Sequence, residues 1–119
     1  MKTIFVVDDQ SINLLTAEKT LSGSYKVFTL ISASSMFELL NNVTPDLILL
    51  DIKMPDIDGF EALRRLKDDK HYAQIPVIFL TSQNDTDTKK FGFEAGIIDY
   101  ILKPFSGSVL LERIKTHLQ

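Results

Sequence analysis

The sequence predicts an α/β fold in which helices cover both faces of a doubly wound, five-stranded parallel sheet. Five short apolar runs alternate along the chain with five longer segments of helical periodicity. Three of the runs are apolar at consecutive positions, as expected of parallel strands that are covered on both faces. Strands that alternate with helices in this way are typical of parallel sheets with right-handed crossovers.

The strands are predicted from short runs that are rich in apolar and β-branched residues. The first is Thr3–Val7 (TIFVV) and the second is Lys26–Leu30 (KVFTL). The third and fourth, Leu47–Leu50 (LILL) and Val77–Leu80 (VIFL), are uninterrupted apolar runs. The fifth is Asp99–Leu102 (DYIL), which completes the predicted sheet.

The helices are predicted between the strands, and several of them have recognisable ends. Asp58 is a predicted N-cap of the third helix, and Glu61 would complete a capping box. Gly96 suits the C-terminus of the fourth helix, and Ser106 or Ser108 suits the N-cap of the last. The predicted helices are Ile12–Leu21, Ser35–Asn42, Phe60–Lys67, Thr86–Glu94 and Val109–Leu118.

Length and composition limit the possible functions. With 119 residues, of which 45% are apolar and 24% are charged, residues 1–119 are predicted to form one globular domain. The net charge of −3 argues against direct binding to nucleic acid. The absence of cysteine excludes disulfides, thiolate catalysis and zinc–thiolate sites. No apolar run is long enough for a signal peptide or a membrane span, so we expect a soluble, cytoplasmic protein.

Polar side chains follow four of the predicted strands at the point where each strand ends. Asp8 and Asp9 follow the first strand, Asp51 the third, Thr81 the fourth and Lys103 the fifth. The carboxyl ends of parallel strands meet at one edge of a sheet, which is where ligands bind in open α/β folds. We therefore expect these five side chains to lie close together.

This set of side chains suits phosphoryl transfer. Three neighbouring carboxylates repel one another unless a cation lies between them, and oxygen ligands of this kind suit Mg²⁺. Lys103 adds a positive charge and Thr81 a hydroxyl, both of which can bind phosphoryl oxygens. The pattern indicates transfer of a phosphoryl group onto a carboxylate at this edge.

Four motifs resemble the receiver domain of two-component response regulators. They are VVDD, LILLDIKMPDIDG, VIFLTS and DYILKPF, which occur in the family's order and at its spacings over essentially the whole chain. The resemblance implies a flavodoxin-like (βα)5 fold with strand order 2-1-3-4-5. It also implies that Asp51 accepts a phosphoryl group from the phosphohistidine of a sensor kinase or a phosphotransfer protein.

The resemblance implies a role for each matching position around the acceptor. Asp9 resembles the direct Mg²⁺ ligand and Asp8 the acid that acts through bound water. Asp51 completes the metal site together with the backbone carbonyl of Lys53. On the same basis, we expect Thr81 to supply the switch hydroxyl and Tyr100 to be the aromatic switch residue. We expect Lys103 to bind the phosphoryl group and the peptide bond between Lys103 and Pro104 to be cis.

Three positions are compared with common members of the family. Lys53 and Gln83 flank the path by which water reaches the acyl phosphate, and Lys53 offers no base there. We therefore expect a phosphoryl half-life of many minutes or more. Gly92 stands where the family commonly has alanine, and a glycine inside a helix is expected to make the fourth helix mobile.

The family's signalling face consists of the fourth helix, the fifth strand and the fifth helix. This face is a candidate surface for a homodimer, in which Lys89, Lys90, Asp99 and Arg113 would form ion pairs between subunits. The last helix is still amphipathic where the chain stops, so we expect the N-terminal part of a longer regulator rather than a stand-alone receiver. His71 and His117 lack acidic or histidine neighbours at ligand spacing and are predicted to be surface residues.

Other functions compete with a receiver that catalyses only its own phosphorylation and dephosphorylation. A Mg²⁺-dependent phosphatase with an aspartyl-phosphate intermediate would need an acid where this chain has Lys53. A flavin or nucleotide binder needs a phosphate-binding loop that the sequence does not contain. An EF-hand with Gly59 at its sixth position would place Arg65 where calcium requires a glutamate. A pseudo-receiver that is never phosphorylated and serves as a docking module stays open.

Overall fold

The computed structural model describes residues 1–118 and shows one five-stranded sheet with helices on both faces. The strands are β1 (Thr3–Val7), β2 (Lys26–Leu30), β3 (Leu47–Asp51), β4 (Val77–Thr81) and β5 (Asp99–Leu102). The helices are α1 (Ser11–Leu21), α2 (Ala33–Leu40), α3 (Gly59–Asp68), α4 (Thr86–Ala95) and α5 (Gly107–His117). All strands are parallel, in the order β2-β1-β3-β4-β5, which confirms the predicted fold.

The bounds of β1, β2 and β5 are as predicted, whereas β3 and β4 are each one residue longer. The two added residues are Asp51 and Thr81, and both are paired in the sheet. Asp51 lies opposite Leu80, and Thr81 lies opposite Leu102. Two of the predicted functional side chains therefore stand on the rigid sheet itself rather than on the loops that follow it.

The predicted starts of α2 and α5 are wrong by two residues, because each helix begins directly after a capping serine. The hydroxyls of Ser32 and Ser106 each accept a hydrogen bond from the backbone N–H three residues later. The helices accordingly begin at Ala33 and Gly107, and α2 ends two residues early at Leu40. The other helix ends lie within one residue of the prediction. No helix within residues 1–118 is long and apolar enough to cross a membrane.

The other two predicted helix ends are present, one of them only in part. The Asp58 carboxylate accepts from the backbone N–H of Glu61 at 2.9 Å and caps α3. The Glu61 carboxylate is bound by Arg64 and Arg65 instead of returning to the backbone, so the reciprocal half of the capping box is not formed. Gly96 ends α4 with φ of +115°, a conformation that glycine adopts readily.

Two apolar layers hold the helices against the sheet. Alternate residues of each strand point to opposite faces, so neighbours such as Phe5 and Val6 enter different layers. One layer lies under α2 and α3 and contains Met36 and Leu63, and the other lies under α1 and α5 and contains Leu110. β1, β3 and β4 are almost wholly buried, which explains their uninterrupted apolar sequences.

Gly92 has a packing role that the sequence did not reveal. It is buried where α4 meets the sheet, and a Cβ atom there would lie 2.8 Å from Cδ1 of Ile97 and 3.3 Å from the ring of Phe79. The missing side chain lets the helix backbone approach these two residues closely. The expectation of a mobile α4 stays a prediction, but the glycine now has a steric explanation.

Candidate functional site

The carboxyl ends of the strands surround a pocket of about 460 Å³. Its lining includes Ile52 and five of the predicted site residues: Asp9, Asp51, Lys53, Thr81 and Lys103. Asp8 is wholly buried at the same edge and lies beside this set. The structure therefore brings together the side chains that the sequence placed at separate strand ends.

Asp51 stands at the tip of β3 with only 3% of its side chain exposed. The pKa of this carboxyl is raised from 3.8 to about 6. Burial is the largest cause, the hydrogen bond from Lys103 lowers the pKa, and the charge of Asp8 raises it. A carboxyl with a pKa of this size is mostly ionised at pH 7. Asp51 is therefore a buried carboxylate that carries its charge at neutral pH.

Lys103 supplies the positive charge at the centre of the site. Its Nζ lies 2.9 Å from Oδ1 of Asp51 and 3.4 Å from Oδ2 of Asp8. Burial lowers the pKa of Lys103, but the hydrogen bonds and charges of the two aspartates outweigh it, so the pKa is raised. The peptide bond between Lys103 and Pro104 is cis, as predicted. The ammonium group stays charged and neutralises part of the acidic cluster.

Asp8, Asp9 and Asp51 form a group that could hold a metal ion. Each offers a carboxylate oxygen, and these three atoms lie within 4.8 Å of one another. Asp8 and Asp51 are buried, whereas Asp9 is exposed and opens onto the pocket. An all-oxygen donor set of this kind suits hard divalent cations.

Two polar residues behind this cluster were not predicted from the sequence. The backbone N–H of Gln10 donates to Oδ1 of Asp8 at 2.9 Å, and the side-chain amide of Asn13 donates to Oδ2 at 3.1 Å. Gly59 is also unusual, because a Cβ atom there would lie 2.5 Å from the carbonyl oxygen of Asp51. The sequence signal for Gln10 and Asn13 is their position shortly after the VVDD motif, and Gly59 is the last residue of the LILLDIKMPDIDG motif.

Thr81 and Tyr100, the two predicted switch residues, lie in different surroundings. Thr81 is buried, lines the pocket, and its hydroxyl accepts from the backbone N–H of Gln83 at 2.9 Å. Tyr100 lies half-buried on β5 against α4, where the Nζ of Lys89 is 4.5 Å above its ring and Phe93 packs edge-on. Tyr100 lines a separate groove between β5 and α5.

Two of the four charges that we expected to pair between subunits, Asp99 and Arg113, pair with each other within this chain. Oδ1 of Asp99 accepts from Arg113 at 2.9 Å, and Oδ2 lies 3.0 Å from Nε2 of His117. His117 is half-buried, so its prediction as an isolated surface residue is wrong. The error arises because β5 and α5 bring together residues that are 18 positions apart. His71 is exposed, as predicted.

A family model for the response regulator receiver domain matches residues 4–115. This chain belongs to the receiver domain family. The match includes every predicted site residue. Receiver domains interact with histidine kinases or phosphotransfer proteins, which is the partner class that the resemblance implied.

The relatives of this receiver domain are mostly longer proteins. It is 38% identical to the phosphate regulon transcriptional regulatory protein PhoB of Pseudomonas aeruginosa, over 99% of this chain and 52% of that protein. It is also 38% identical to a probable cyclic di-GMP phosphodiesterase of Vibrio cholerae, over 98% of this chain and 26% of that protein. The receiver thus spans between about a quarter and a half of the length of these two proteins.

Solved structures agree with the fold over nearly the whole chain. The chemotaxis protein CheY4 of Vibrio cholerae superposes with a TM-score of 0.91 at 25% identity, covering 99% of both chains. The response regulator DrrB of Thermotoga maritima gives a TM-score of 0.90 at 32% identity, covering 99% of this chain and 52% of that one. The receiver therefore has the same architecture as regulators of different length.

Proposed function

We propose that Asp51 accepts a phosphoryl group from the phosphohistidine of a sensor kinase or phosphotransfer protein. The observation that carries this proposal is the position of Asp51 at the tip of β3, bound to Lys103 and within 4.8 Å of Asp8 and Asp9. A nucleophile needs this combination of rigid placement, retained charge and nearby positive charge. Membership of the receiver family supports the same reaction.

The chemistry follows from the groups around Asp51. One carboxylate oxygen attacks the phosphorus, the N–P bond of the donor breaks, and the imidazole leaves as a neutral ring with its proton on the other nitrogen. Lys103 and the Thr81 hydroxyl are placed to donate to phosphoryl oxygens after the transfer. A Mg²⁺ ion held by Asp9, Asp51, the Lys53 carbonyl and, through water, Asp8 would supply charge neutralisation.

The phosphoryl group then changes the populations of two conformations. To donate to the new phosphoryl group, the Thr81 side chain turns toward Asp51, and this rotation moves its hydroxyl away from the backbone N–H of Gln83. That loosens the loop before α4, and the Tyr100 ring moves inward toward the space left by the hydroxyl. The face formed by α4, β5 and α5 would pass this change to an output domain or a partner.

Intact-mass measurement after incubation with acetyl phosphate and Mg²⁺ tests the acceptor. We expect wild type to gain about 80 Da, one phosphoryl group, and the Asp51→Asn variant to gain nothing. An adduct on Asp51→Asn would contradict the assignment. If neither protein is modified but wild type binds Mg²⁺, incubation with a phosphorylated histidine phosphotransfer protein follows. Failure there as well would favour the docking-module alternative.

Lys53 and Gln83 are proposed to slow hydrolysis of the acyl phosphate. Lys53 lines the pocket, and its exposed side chain carries no group that could activate water. The backbone N–H of Gln83 binds the hydroxyl of Thr81, which also lines the pocket. We expect a phosphoryl half-life of many minutes or more, and a shorter one in Lys53→Asn, whose shorter side chain opens the path to the phosphorus. The half-life is measured by loss of the mass adduct with Mg²⁺ present. Loss within seconds in wild type would refute the proposal.

The wider setting of the domain is proposed from its relatives. This chain covers only 52% of the transcriptional regulatory protein PhoB, so residues 1–119 are proposed to act as one receiver domain within a longer, cytoplasmic regulator. It works as a switch rather than as an enzyme with its own substrate, and it does not bind nucleic acid itself. A homodimer through the α4, β5 and α5 face is retained as a proposal. Its ion pairs would have to compete with the internal pairs of Asp99.

A further inference from the structure

We infer that Asn13 is a positioning residue for the metal site, because it holds the Asp8 carboxylate in one orientation. This inference deepens the proposed function and rests on its Mg²⁺ site. The carboxylate of Asp8 is wholly buried, and each of its oxygens has a fixed donor. The Gln10 backbone N–H binds Oδ1 at 2.9 Å, and the Asn13 amide binds Oδ2 at 3.1 Å.

The orientation of the Asn13 amide is determined by its neighbours. Its Nδ2 lies 3.1 Å from Oδ2 of Asp8 and 3.2 Å from Oε1 of Gln10. A carboxylate oxygen can only accept, so the nitrogen and not the oxygen of the amide must face Asp8. Both amide hydrogens are then used, and neither can turn away without losing a bond. Asn13 is therefore a rigid clamp on Asp8.

Lys103 cannot replace this clamp once a phosphoryl group is bound. Its Nζ is 3.4 Å from Oδ2 of Asp8 but 2.9 Å from Asp51, so its bond to Asp8 is the weaker one. In the proposed function, Lys103 also turns toward the phosphoryl oxygens. Asn13 is then the remaining side-chain donor that holds Oδ2 of Asp8.

The clamp also explains how α1 begins. Gln10 is the N-cap residue of this helix, but its side chain does not cap the backbone, and the first turn contains no acidic residue. Asp8 is the acidic residue at the start of this helix, although it lies two residues before the N-cap. Its carboxylate accepts from the Gln10 backbone N–H and from the Asn13 side-chain amide. The start of α1 and the orientation of Asp8 are thus fixed by the same bonds.

A metal site loses affinity when the groups behind its ligands are removed, typically by 10–100-fold. Without Asn13 the Asp8 carboxylate keeps only the Gln10 bond and can rotate about its terminal torsion. Because asparagine is neutral, the change leaves the net charge of the site unaltered. We therefore expect Asn13→Ala to bind Mg²⁺ about tenfold more weakly, with phosphorylation slowed to match at subsaturating Mg²⁺.

The test is a double-mutant cycle of Mg²⁺ affinity. The affinity is measured from NMR shifts of backbone amides at the pocket during Mg²⁺ titration. The four proteins are wild type, Asn13→Ala, Asp8→Asn and the double variant. If Asn13 acts through Asp8, its removal weakens Mg²⁺ binding in wild type but changes it less than twofold in Asp8→Asn. Alanine favours helix more than asparagine does, which protects α1. Asn42→Ala, an exposed asparagine at the end of α2, is the matched control and should leave the affinity unchanged.

Each other outcome overturns the inference in a recognisable way. Affinity within twofold of wild type in Asn13→Ala, with a lowered unfolding midpoint, would mean that Asn13 only starts α1. An equal loss of affinity in both backgrounds would mean that Asn13 does not act through Asp8. If wild type itself does not respond to Mg²⁺, the metal dependence of the proposed function fails, and the positioning role fails with it.

Discussion

At the scale of single residues, Asp51 combines deep burial with a negative charge. A buried carboxylate is costly to ionise, yet the proposed phosphoryl transfer requires this one to be ionised. Lys103 limits the cost, but burial and the neighbouring acid still hold the pKa near 6. Keeping this carboxylate ionised therefore lowers the free energy of unfolding.

This conflict predicts a pH dependence of stability. Because the folded-state pKa of Asp51 is raised above its unfolded value of 3.8, ionisation favours the unfolded chain. The contribution of this group is favourable at low pH and is lost as the pH rises from about 4 through 6. Asp51→Asn cannot ionise, so we expect it to gain stability relative to wild type by on the order of 1 kcal/mol between pH 4.5 and 7.

Urea unfolding of both proteins in chelator, at a series of pH values, measures that difference. A difference that is flat with pH would mean that Lys103 fully compensates the buried charge. In saturating Mg²⁺ the order should reverse at pH 7, because the proposed metal site is expected to bind Mg²⁺ more tightly with the Asp51 carboxylate than with a neutral amide, which stabilises wild type more.

At the scale of elements, the start of α3 packs directly against the end of β3. The backbone N–H of Gly59 donates to the carbonyl of Ile52 at 2.7 Å, and the helix follows at once. A side chain at this position would meet backbone atoms, 2.5 Å from the Asp51 oxygen and 2.7 Å from Cα of Ile52. Only glycine allows this approach, so the loop after Asp51 is held close to the strand.

Replacing this glycine tests the contact. We expect Gly59→Ala to destabilise the fold by roughly 2–3 kcal/mol, because backbone atoms cannot move aside as a side chain can. It should also slow phosphorylation in whatever fraction stays folded, since Asp51 is displaced. Gly23→Ala is the control: a Cβ there meets nothing within 4 Å, and its unfolding free energy should change by less than about 0.5 kcal/mol. A similar small change in Gly59→Ala would contradict the packing argument.

At the scale of the whole molecule, sequence reasoning succeeds where the pattern is local. Runs such as LILL identify buried strands because both faces of those strands are apolar, and parallel strands bring their carboxyl ends to one edge. It fails where partners compete or are distant. Glu61 has two local partners, the backbone at its helix start and Arg64 three residues later, and their spacing does not decide between them. Nothing local shows that His117 reaches Asp99. The clamp of Asn13 on Asp8 likewise depends on how α1 leaves the sheet.

The contacts of Lys103 have a consequence for biosynthesis. They join residues that are 52 and 95 positions apart, so they form only after β5 has been added to the sheet. A nascent or truncated chain that ends before this lysine already contains its three aspartates, but their mutual repulsion is unrelieved. The side chains of the proposed phosphorylation site are thus assembled only once β5 is in place, and a chain that ends before Lys103 is not expected to be phosphorylated.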